Sequence, residues 1–124
     1  MTISYIADKD GNTIERSKTT SKPSDRHFRN AWTLSGTVIS EDMTTAKTMF
    51  KDKIREVRKP LLEAQDVEYM KALEEGSTSK QNAAIQTKSK LRDAPAASAI
   101  TDAKTISELK SAWDTDLLGT SPYA

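Results

Sequence analysis

The segment Met43–Glu75 constrains the fold of this chain more than any other stretch. Its first apolar residues recur at steps of three or four, which places them in one stripe along an α-helix. A second, less regular set continues this period, and charged residues occupy most of the remaining positions. The segment therefore predicts a long amphipathic helix and contains no catalytic motif. The first set is Met43, Ala46, Phe50, Ile54, Val57 and Leu61, and the second is Leu62, Tyr69, Met70 and Leu73.

The ends and the middle of this helix carry signals of their own. We predict that Ser40 is the N-cap, with Glu41 and Asp42 in the first turn, where negative charge favours the positive end of the helix dipole. Pro60 removes a backbone donor and crowds the preceding turn, so we predict a kink or a very short break there. Gly76 is expected to end the helix.

A weaker helix is predicted over residues 80–92, with Ala84, Ile85 and Leu91 facing inward. The short connection through residues 77–79 predicts that this helix folds back as an antiparallel hairpin. We expect it to end before Pro95, because the residue preceding a proline avoids the helical region.

Asp66 lies near the face of the long helix defined by Leu62, Tyr69 and Leu73, which we expect to point inward, and two interpretations remain open. A buried Asp66 pairs with Lys88 or Arg92 on the returning helix and sets the register of the hairpin. Alternatively, its carboxylate is solvated.

The C-terminal third is predicted to hold a connector, a short helix and a tail. Residues 96–104 are small and are interpreted as the connector. Thr105 and Glu108 form a capping box at the start of a helix that runs to Gly119. Residues 120–124 are expected to be loose unless they dock on something. The apolar side of this helix comprises Ile106, Leu109, Trp113 and Leu117.

The N-terminal 40 residues predict a small β element. Residues 3–7 form the first strand, Asp10 and Gly11 supply turn chemistry, and Thr13 and Ile14 begin the partner strand. A lone hairpin is marginal in water, so residues 31–39 are the candidate third strand, broken by a turn or bulge at residues 35–36. Residues 18–25 are a polar linker, and Trp32 is expected to be the largest core side chain of this half.

These elements define an α+β chain that is mainly α. A hairpin or three-stranded meander precedes a long kinked helix, an antiparallel helical hairpin and a short C-terminal helix. We divide the chain into a β element with linker at 1–40, a helical region at 41–118 and a tail at 119–124.

The composition favours an extended or partner-dependent fold. Apolar residues make up 35% of the chain and aromatic residues 6%, while 30% are charged, less apolar than a typical self-sufficient core. The 19 basic residues balance 18 acidic ones, which removes the electrostatic argument for nucleic-acid binding. There is no cysteine, so disulfides and thiolate chemistry are excluded. We expect no signal peptide and no membrane span.

Candidate chemistry is sparse. The single histidine, His27, has no second histidine or cysteine to complete a metal site and is interpreted as a surface or partly packed residue. Carboxylates at 41–42, 74–75, 114 and 116 lie at helix ends, where they complement helix termini or aid solubility. The loop at 8–12 resembles half of an EF-hand, but Thr19 stands where a bidentate carboxylate is needed. The basic group at 51–59 is interleaved with Asp52 and Glu56, as on a solvated face. We expect no enzyme, cofactor or metal.

Several short motifs resemble those of small proteins encoded among the tail genes of tailed bacteriophages, of the tail-fibre-associated or tail assembly chaperone-like kind. The similarity covers residues 27–117 and implies a helical hairpin and a phage-tail context, without functional residues to carry over. Where that pattern has an "LDV"-like step, this chain lacks the leucine. The motifs are Arg58-Lys59-Pro60-Leu61-Leu62, Ala64-Gln65-Asp66-Val67, the run at 88–95 that ends in Arg92-Asp93-Ala94-Pro95, and the helix at 108–113.

Three function classes follow from these observations. The first is a virion structural protein of the tail or neck that packs, in several copies or as a homo-oligomer, against other phage structural proteins. The second is a tail or tail-fibre assembly chaperone that is absent from the finished particle. A docked C-terminal tail favours the first and a disordered tail the second. The third, a nucleic-acid-binding regulator, is disfavoured by the charge balance. The candidate interface anchors are Trp32, Phe50, Tyr69, Trp113 and Tyr123.

Overall fold

A long antiparallel helical hairpin dominates the molecule, whose computed structural model describes residues 5–23 and 25–123. Helix α1 spans Met43–Glu75 and helix α2 spans Thr78–Asp93. With 33 residues, α1 is about 50 Å long at about 1.5 Å per residue. The fold is α+β and mainly α, as the sequence predicts.

The turn between the two helices uses the predicted residues. Gly76 adopts the left-handed conformation with φ 68°, which glycine reaches at little cost. The amide of Ser77 then donates to the carbonyl of Ala72 at 3.0 Å, closing the end of α1. The Ser77 hydroxyl in turn accepts from the amide of Lys80 as the N-cap of α2.

The start of α1 differs from the prediction by two residues. Asp42, not Ser40, is the N-cap, and its carboxylate accepts from the amides of Thr44 and Thr45. Ser40 and Glu41 belong to a strand instead. The backbone of these two residues is already committed to strand hydrogen bonds, so the next residue with a capping side chain takes the role.

We predicted a kink or a very short break at Pro60, and the break does not occur. Helix α1 continues through Pro60, which is exposed. The apolar stripe that extends past Pro60 to Leu61 and Leu62 packs against the core on both sides of the proline. This packing offsets the lost backbone hydrogen bond.

The N-terminal region forms two separate β-hairpins. Strands β1 (Tyr5–Ala7) and β2 (Thr13–Glu15) pair antiparallel as predicted, although residues 3 and 4 of the predicted first strand lie outside the described residues. Residues 31–39 add no third strand to this sheet. Instead, β3 (Trp32–Ser35) pairs with β4 (Val38–Glu41), because Gly36, at φ 62°, allows a tight turn.

The two hairpins are held together by one carboxylate, a small apolar cluster and a backbone hydrogen bond from the Lys9 amide to the Trp32 carbonyl at 2.9 Å. Asp8 accepts from the amides of Asp10 and Asn12 in its own turn and from the amide of Leu34 in β3, at 3.0 Å. The pKa of Asp8 is lowered because these hydrogen bonds outweigh the opposing effect of burial. The apolar cluster consists of Ile6, Trp32 and Ile39, with Ile14 and Leu34 at its edge.

The predicted polar linker is partly ordered on the sheet. After a 3₁₀ turn at Arg16–Lys18, the amide of Thr20 donates to Thr37 and the carbonyl of Ser21 accepts from Ile39. These bonds cover the open edge of β4. Residue 24 of this linker lies outside the described residues. A second 3₁₀ turn, Arg29–Ala31, leads into β3.

The C-terminal third contains more helix than predicted. A 3₁₀ turn at Ala94–Ala96 leads into the predicted connector, residues 96–104, and the connector contains helix α3 at Ser98–Thr101. The predicted last helix is divided into α4 (Ile106–Ser111) and α5 (Thr115–Leu118). Asp114 divides them, because its side chain caps the start of α5. Thr105 is confirmed as the N-cap, because its hydroxyl accepts from the Glu108 amide. The Glu108 carboxylate reaches back one residue further than in a capping box and accepts from the Lys104 amide at 2.7 Å.

The main core lies where the N-terminal half of α1 meets the C-terminal helices. Phe50 and Ile54 of α1, Leu91 of α2 and Leu109 of α4 are fully buried there. Phe28, which precedes the second hairpin, also belongs to this core, so the β region and the helical region share packing. Beyond Leu62, α1 leaves this core.

Candidate interaction site

The outer half of the helical hairpin is an arm, which we define as residues 63–88. Only two of its residues, Ala72 and Ala84, are buried. Their small side chains let the two helices approach each other but contribute little apolar area. The arm therefore has almost no core of its own.

Exposed apolar side chains concentrate on this arm. Among the described residues, six large apolar side chains are exposed, and four of them lie in the arm. The exposed fractions are 54% for Val67, 59% for Met70, 46% for Leu73 and 51% for Ile85. Clustering of this kind marks interaction surfaces more often than scattered exposure does.

Two of these residues correct the sequence prediction. Ile85 and Leu73 were expected to face inward, and both are exposed. Successive helical residues are rotated by about 100°, and the inward positions are taken by Ala84 and Ala72. Leu91 lies seven residues after Ala84, on the same face of α2. Its burial in the main core fixes which face of α2 points inward.

An ion pair places one exposed apolar residue of each helix, Leu73 and Ile85, on the same side of the hairpin. Asp66 of α1 pairs with Lys88 of α2, one of the two predicted partners. Asp66 is nevertheless exposed, with 60% of its side-chain area accessible, so the pair is not buried. Leu73 shares the side of Asp66, and Ile85 shares the side of Lys88, since residues three, four or seven apart lie on one face.

The opposite side of the arm is a polar groove of about 390 Å³. Glu75 and Lys80 form an ion pair of 2.7 Å across its end, and the hydrogen bond from Lys80 to Glu75 raises the pKa of Lys80. The lining of the groove includes Gln65, Glu68, Lys71, Ala83 and Thr87.

At the base of the arm lies a basic cleft of about 240 Å³. We define it by its lining: Lys51, Arg55, Arg58, Arg92, Pro95 and Ala96. Arg58 donates to the carbonyls of Leu91 and Arg92 at 3.3 and 2.9 Å, where a cation complements the end of α2. Arg55 pairs with Asp52 at 2.8 Å. Among the described residues, no carboxylate lies within ion-pair distance of Lys51 or Arg92.

His27 belongs to a polar cluster with Asp25 and Lys110. Lys110 donates to His27 Nδ1 at 2.8 Å and pairs with Asp25, while Asp25 also accepts from the His27 amide. Burial acts to raise the pKa of Asp25, but the hydrogen bonds from Lys110 and His27 outweigh it and hold the pKa below its usual value. The cluster ties residues 25–27 to α4.

Glu41 and Trp32 form an unusual pair on the second hairpin. They lie opposite each other in the β3–β4 register, and Trp32 Nε1 and Glu41 Oε2 are buried without a hydrogen-bond partner among the described residues. Burial raises the pKa of Glu41, and the negative charge of Asp25 adds to the shift while Lys110 opposes it.

Most of the predicted interface anchors are buried within the chain. Trp32, Phe50 and Trp113 are buried, and Tyr69 is half-buried on the arm. Tyr123 is half-buried and stacks on Phe28 and Phe50, with ring centroids 4.9 and 5.5 Å apart. The tail is thus docked as far as Tyr123, and residue 124 lies outside the described residues. None of the four exposed apolar residues of the arm was predicted to be exposed. Only Val67 lies outside the apolar positions named from the sequence.

The described ranges contain neither a metal-binding cluster nor a helix able to span a membrane. No group of three or more histidine, aspartate or glutamate side chains in residues 5–23 and 25–123 is arranged to hold a metal ion. Within the same ranges, no helix combines the length and the apolar character that crossing a bilayer requires.

Comparison of the chain with protein-family models, curated protein sequences and solved structures gives no significant match.

Proposed function

We propose that this chain is a structural protein of a tailed bacteriophage, associated with the tail or neck, and that it acts by packing against other virion subunits and not by catalysis. The observation that carries the packing role is the arm, with four exposed apolar side chains and only two buried alanines. The phage context rests on the resemblance of the motifs in residues 27–117 to tail-gene proteins.

The arm suits a protein whose partners supply missing apolar contacts. Residues 63–88 project from the core as two helices that bury little area between them. Burial of Val67, Met70, Leu73 and Ile85 against a partner removes exposed apolar surface at about 25 cal/mol per Å². The expected partners are other phage structural proteins, in several copies and in the virion, after assembly in the host cytoplasm. We expect no contact with nucleic acid or membrane.

A tail assembly chaperone is the alternative, because an exposed apolar arm also suits temporary masking of a partner. The docked Tyr123, which contacts Phe28, Phe50 and Trp113, favours the permanent role, since a chain with its tail ordered on the core has less to order on assembly.

Quantitative peptide mass spectrometry on gradient-purified particles, with infected-cell lysate alongside, separates the two. Peptides of this chain at a fixed ratio to the major tail or capsid protein support the structural role, and the ratio gives the copy number. Abundance in the lysate with absence from particles contradicts the structural role and supports the chaperone.

A further inference from the structure

Two rows of side chains border one side of the helical hairpin, which we call the lateral face. On each helix the spacing alternates between four and three residues, so the members of a row share one side of that helix. The Asp66–Lys88 pair joins the two rows in the arm, and the basic cleft, lined by Arg55 and Arg92, joins them at the base. The rows therefore flank one groove between α1 and α2, the lateral groove. They are Arg55, Lys59, Leu62, Asp66, Tyr69 and Leu73 on α1, and Gln81, Ile85, Lys88 and Arg92 on α2.

The lateral face is basic. Its rows hold four cations and a single carboxylate, Asp66, which is already paired with Lys88. Two further cations belong to the lining of the basic cleft. Among the described residues, the cations of this face without a carboxylate in ion-pair distance are Lys51, Arg58, Lys59 and Arg92. Carboxylates of a partner can therefore pair with these four cations without displacing an existing ion pair.

Apolar side chains occupy the other half of the lateral face, toward the tip of the arm. Leu73 and Ile85 are exposed there, and Tyr69, in the same row as Leu73, is partly buried. The contact between the two helices at this level is filled by the small side chains of Ala72 and Ala84, so the larger apolar side chains stand at the borders of the lateral groove. The face thus offers cations at its base and apolar area at its tip.

The pattern and the length of the rows suit a partner that is itself a helix. Alternating spacing of four and three residues is typical of helices that pack against each other along their length. From Arg55 to Leu73 the row on α1 is about 27 Å long at about 1.5 Å per residue. A partner helix of about five turns matches this length, and a groove between two helices is a surface into which such a helix can lay its apolar side.

We propose that the lateral face binds an acidic amphipathic helix of another protein, which completes a three-helix bundle with α1 and α2. The carboxylates of this helix pair with the cations of the basic cleft, and its apolar side chains pack against Tyr69, Leu73 and Ile85. The charge of the face selects an acidic helix, because a basic one would add cations to a surface that already has an excess of them.

A second copy of this chain is poorly suited to supply the partner helix. The acidic part of α1 is residues 61–75, with one basic and five acidic side chains. Three of these five acids already form ion pairs within the chain, namely Asp66, Glu68 and Glu75. Glu75 also lines the polar groove on the opposite side of the arm. The partner helix therefore belongs to a different protein.

Nucleic acid fits this face less well than an acidic helix does. Its phosphates would use the cations, but Leu73 and Ile85 offer no stacking surface for bases. The chain as a whole carries a net charge of +1, without the excess of basic residues on which sequence-independent binding to a phosphate backbone depends. Nucleic acid is therefore a competing outcome of the test.

Fluorescence anisotropy of a labelled synthetic peptide, titrated with the purified full chain, tests this inference. The probe peptide is about 21 residues long, with leucine at the a and d positions of its heptads, glutamate at e and g, and alanine elsewhere. Repulsion between the glutamates of neighbouring peptides disfavours pairing of the probe with itself. The control peptide has lysine in place of every glutamate.

Charge-reversed variants of the chain test the electrostatic contribution. The base variant is Lys59→Glu with Arg92→Glu, which reverses two exposed cations of the lateral face. Lys22→Glu with Lys104→Glu is its matched control, because it makes the same change in net charge at exposed positions away from this face. Circular dichroism checks that each variant folds, and the glutamine versions of the base variant serve if it does not.

Uncharged variants test the apolar contribution. The tip variant is Leu73→Ala with Ile85→Ala, which removes apolar area from the lateral face and keeps a high helix propensity. Tyr5→Ala with Val38→Ala is its matched control, since both residues are exposed apolar side chains outside the arm.

We expect the acidic peptide to bind the wild-type chain and the lysine peptide not to bind. The base and tip variants should each raise the dissociation constant for the acidic peptide at least ~10-fold, and both control variants should leave it unchanged. Binding should be weaker at about 500 mM than at about 50 mM salt, because screening weakens exposed charge pairs.

An acidic peptide that does not bind, equal binding of the two peptides, or base and tip variants that bind as well as wild type would each overturn the proposal. Displacement of the bound peptide by equimolar duplex DNA would assign the face to nucleic acid instead. Self-association of the chain that the base variant abolishes, measured by sedimentation equilibrium, would assign it to a second copy.

This inference rests on the proposed packing function and specifies the chemistry of one partner. The two are tested separately, because anisotropy uses the purified chain and mass spectrometry uses particles. A chain that is present in particles at a fixed ratio but does not bind the acidic peptide contradicts only the acidic helix. A chain that binds the peptide but is absent from particles contradicts only the virion role.

Discussion

Asp25 links the segment before the second hairpin to helix α4. Its carboxylate binds Lys110 of α4 and the amide of His27, and His27 precedes Phe28 of the core. Glu41 lies close enough for the charge of Asp25 to raise its pKa. The same carboxylate therefore stabilises one contact and disfavours ionisation at a neighbour.

Asp25→Asn should lower the free energy of unfolding at pH 7 by about 1 kcal/mol, because charged hydrogen bonds to Lys110 and His27 are weakened. The pKa of Asp25 is lowered in the folded state, so its contribution is present above the unfolded pKa of about 3.9 and is lost as the pH falls through the folded value. Urea denaturation at pH 7 and at about pH 2.5 measures this. The exposed Glu63→Gln serves as control, and an equal loss at both pH values would contradict the assignment.

Tyr123→Ala should lower the free energy of unfolding by about 1–3 kcal/mol, since the ring stacks on Phe28 and Phe50 and lies edge-on to Trp113. Thermal unfolding of the variant and of Tyr123→Phe, which retains the ring, measures the effect. A variant as stable as wild type would mean that the tail is not docked in solution.

The two halves of helix α1 have different surroundings. Its N-terminal half supplies Phe50 and Ile54 to the core, and its C-terminal half carries the exposed apolar residues of the arm. The effect of a substitution in α1 on the free energy of unfolding should therefore depend on which half of the helix it lies in.

Leu73→Asp should change the free energy of unfolding of the isolated chain by no more than about 1 kcal/mol. Leu73 is half exposed, so the carboxylate introduced at this position stays solvated. Ile54→Ala, at a position only 1% exposed, should cost about 2–5 kcal/mol. Chemical denaturation of both variants at low protein concentration compares them. A large loss for Leu73→Asp would show that the arm folds tightly on residues beyond Ala72 and Ala84.

Pro60→Ala should leave helicity unchanged or higher and raise the free energy of unfolding by about 1 kcal/mol, because alanine restores a backbone donor within a continuous helix. Far-ultraviolet circular dichroism and thermal unfolding measure the two effects. A large loss of helicity would mean that Pro60 sets a chain reversal.

At the scale of the whole molecule, the described residues form one main core, a small apolar cluster between the hairpins, and an arm that projects from the main core. Stability resides in the first two, and the proposed packing function resides in the third. This separation allows the arm surface to be altered while the fold is retained.

Met70→Glu with Leu73→Glu should preserve the fold and strongly reduce incorporation into particles, since two exposed apolar contacts of the arm are replaced by charges. Tyr5→Glu with Val38→Glu, which charges two exposed apolar side chains outside the arm, is the matched control and should be incorporated normally. Peptide mass spectrometry of particles from complemented infections measures both. Equal incorporation of the two variants would show that the arm is not the packing surface.

Local signals in the sequence were sufficient for most of the elements. The three-to-four spacing predicts α1, Gly76 and Ser77 predict the turn into α2, and Thr105 with Glu108 predicts the start of α4. Each of these depends on backbone or side-chain bonds between residues a few positions apart. The first hairpin follows for the same reason from the turn at Asp10 and Gly11.

Only the tertiary structure decided where each apolar face is covered. Periodicity marks Leu73 as apolar and on a stripe, but no partner in the chain covers it, because the core ends near Leu62. The same holds for Ile85, which points outward because the burial of Leu91 fixes the rotation of α2 about its axis. The separate pairing of β3 with β4, the strand role of Ser40 and the docking of Tyr123 likewise depend on contacts between residues distant in sequence, which local patterns do not encode.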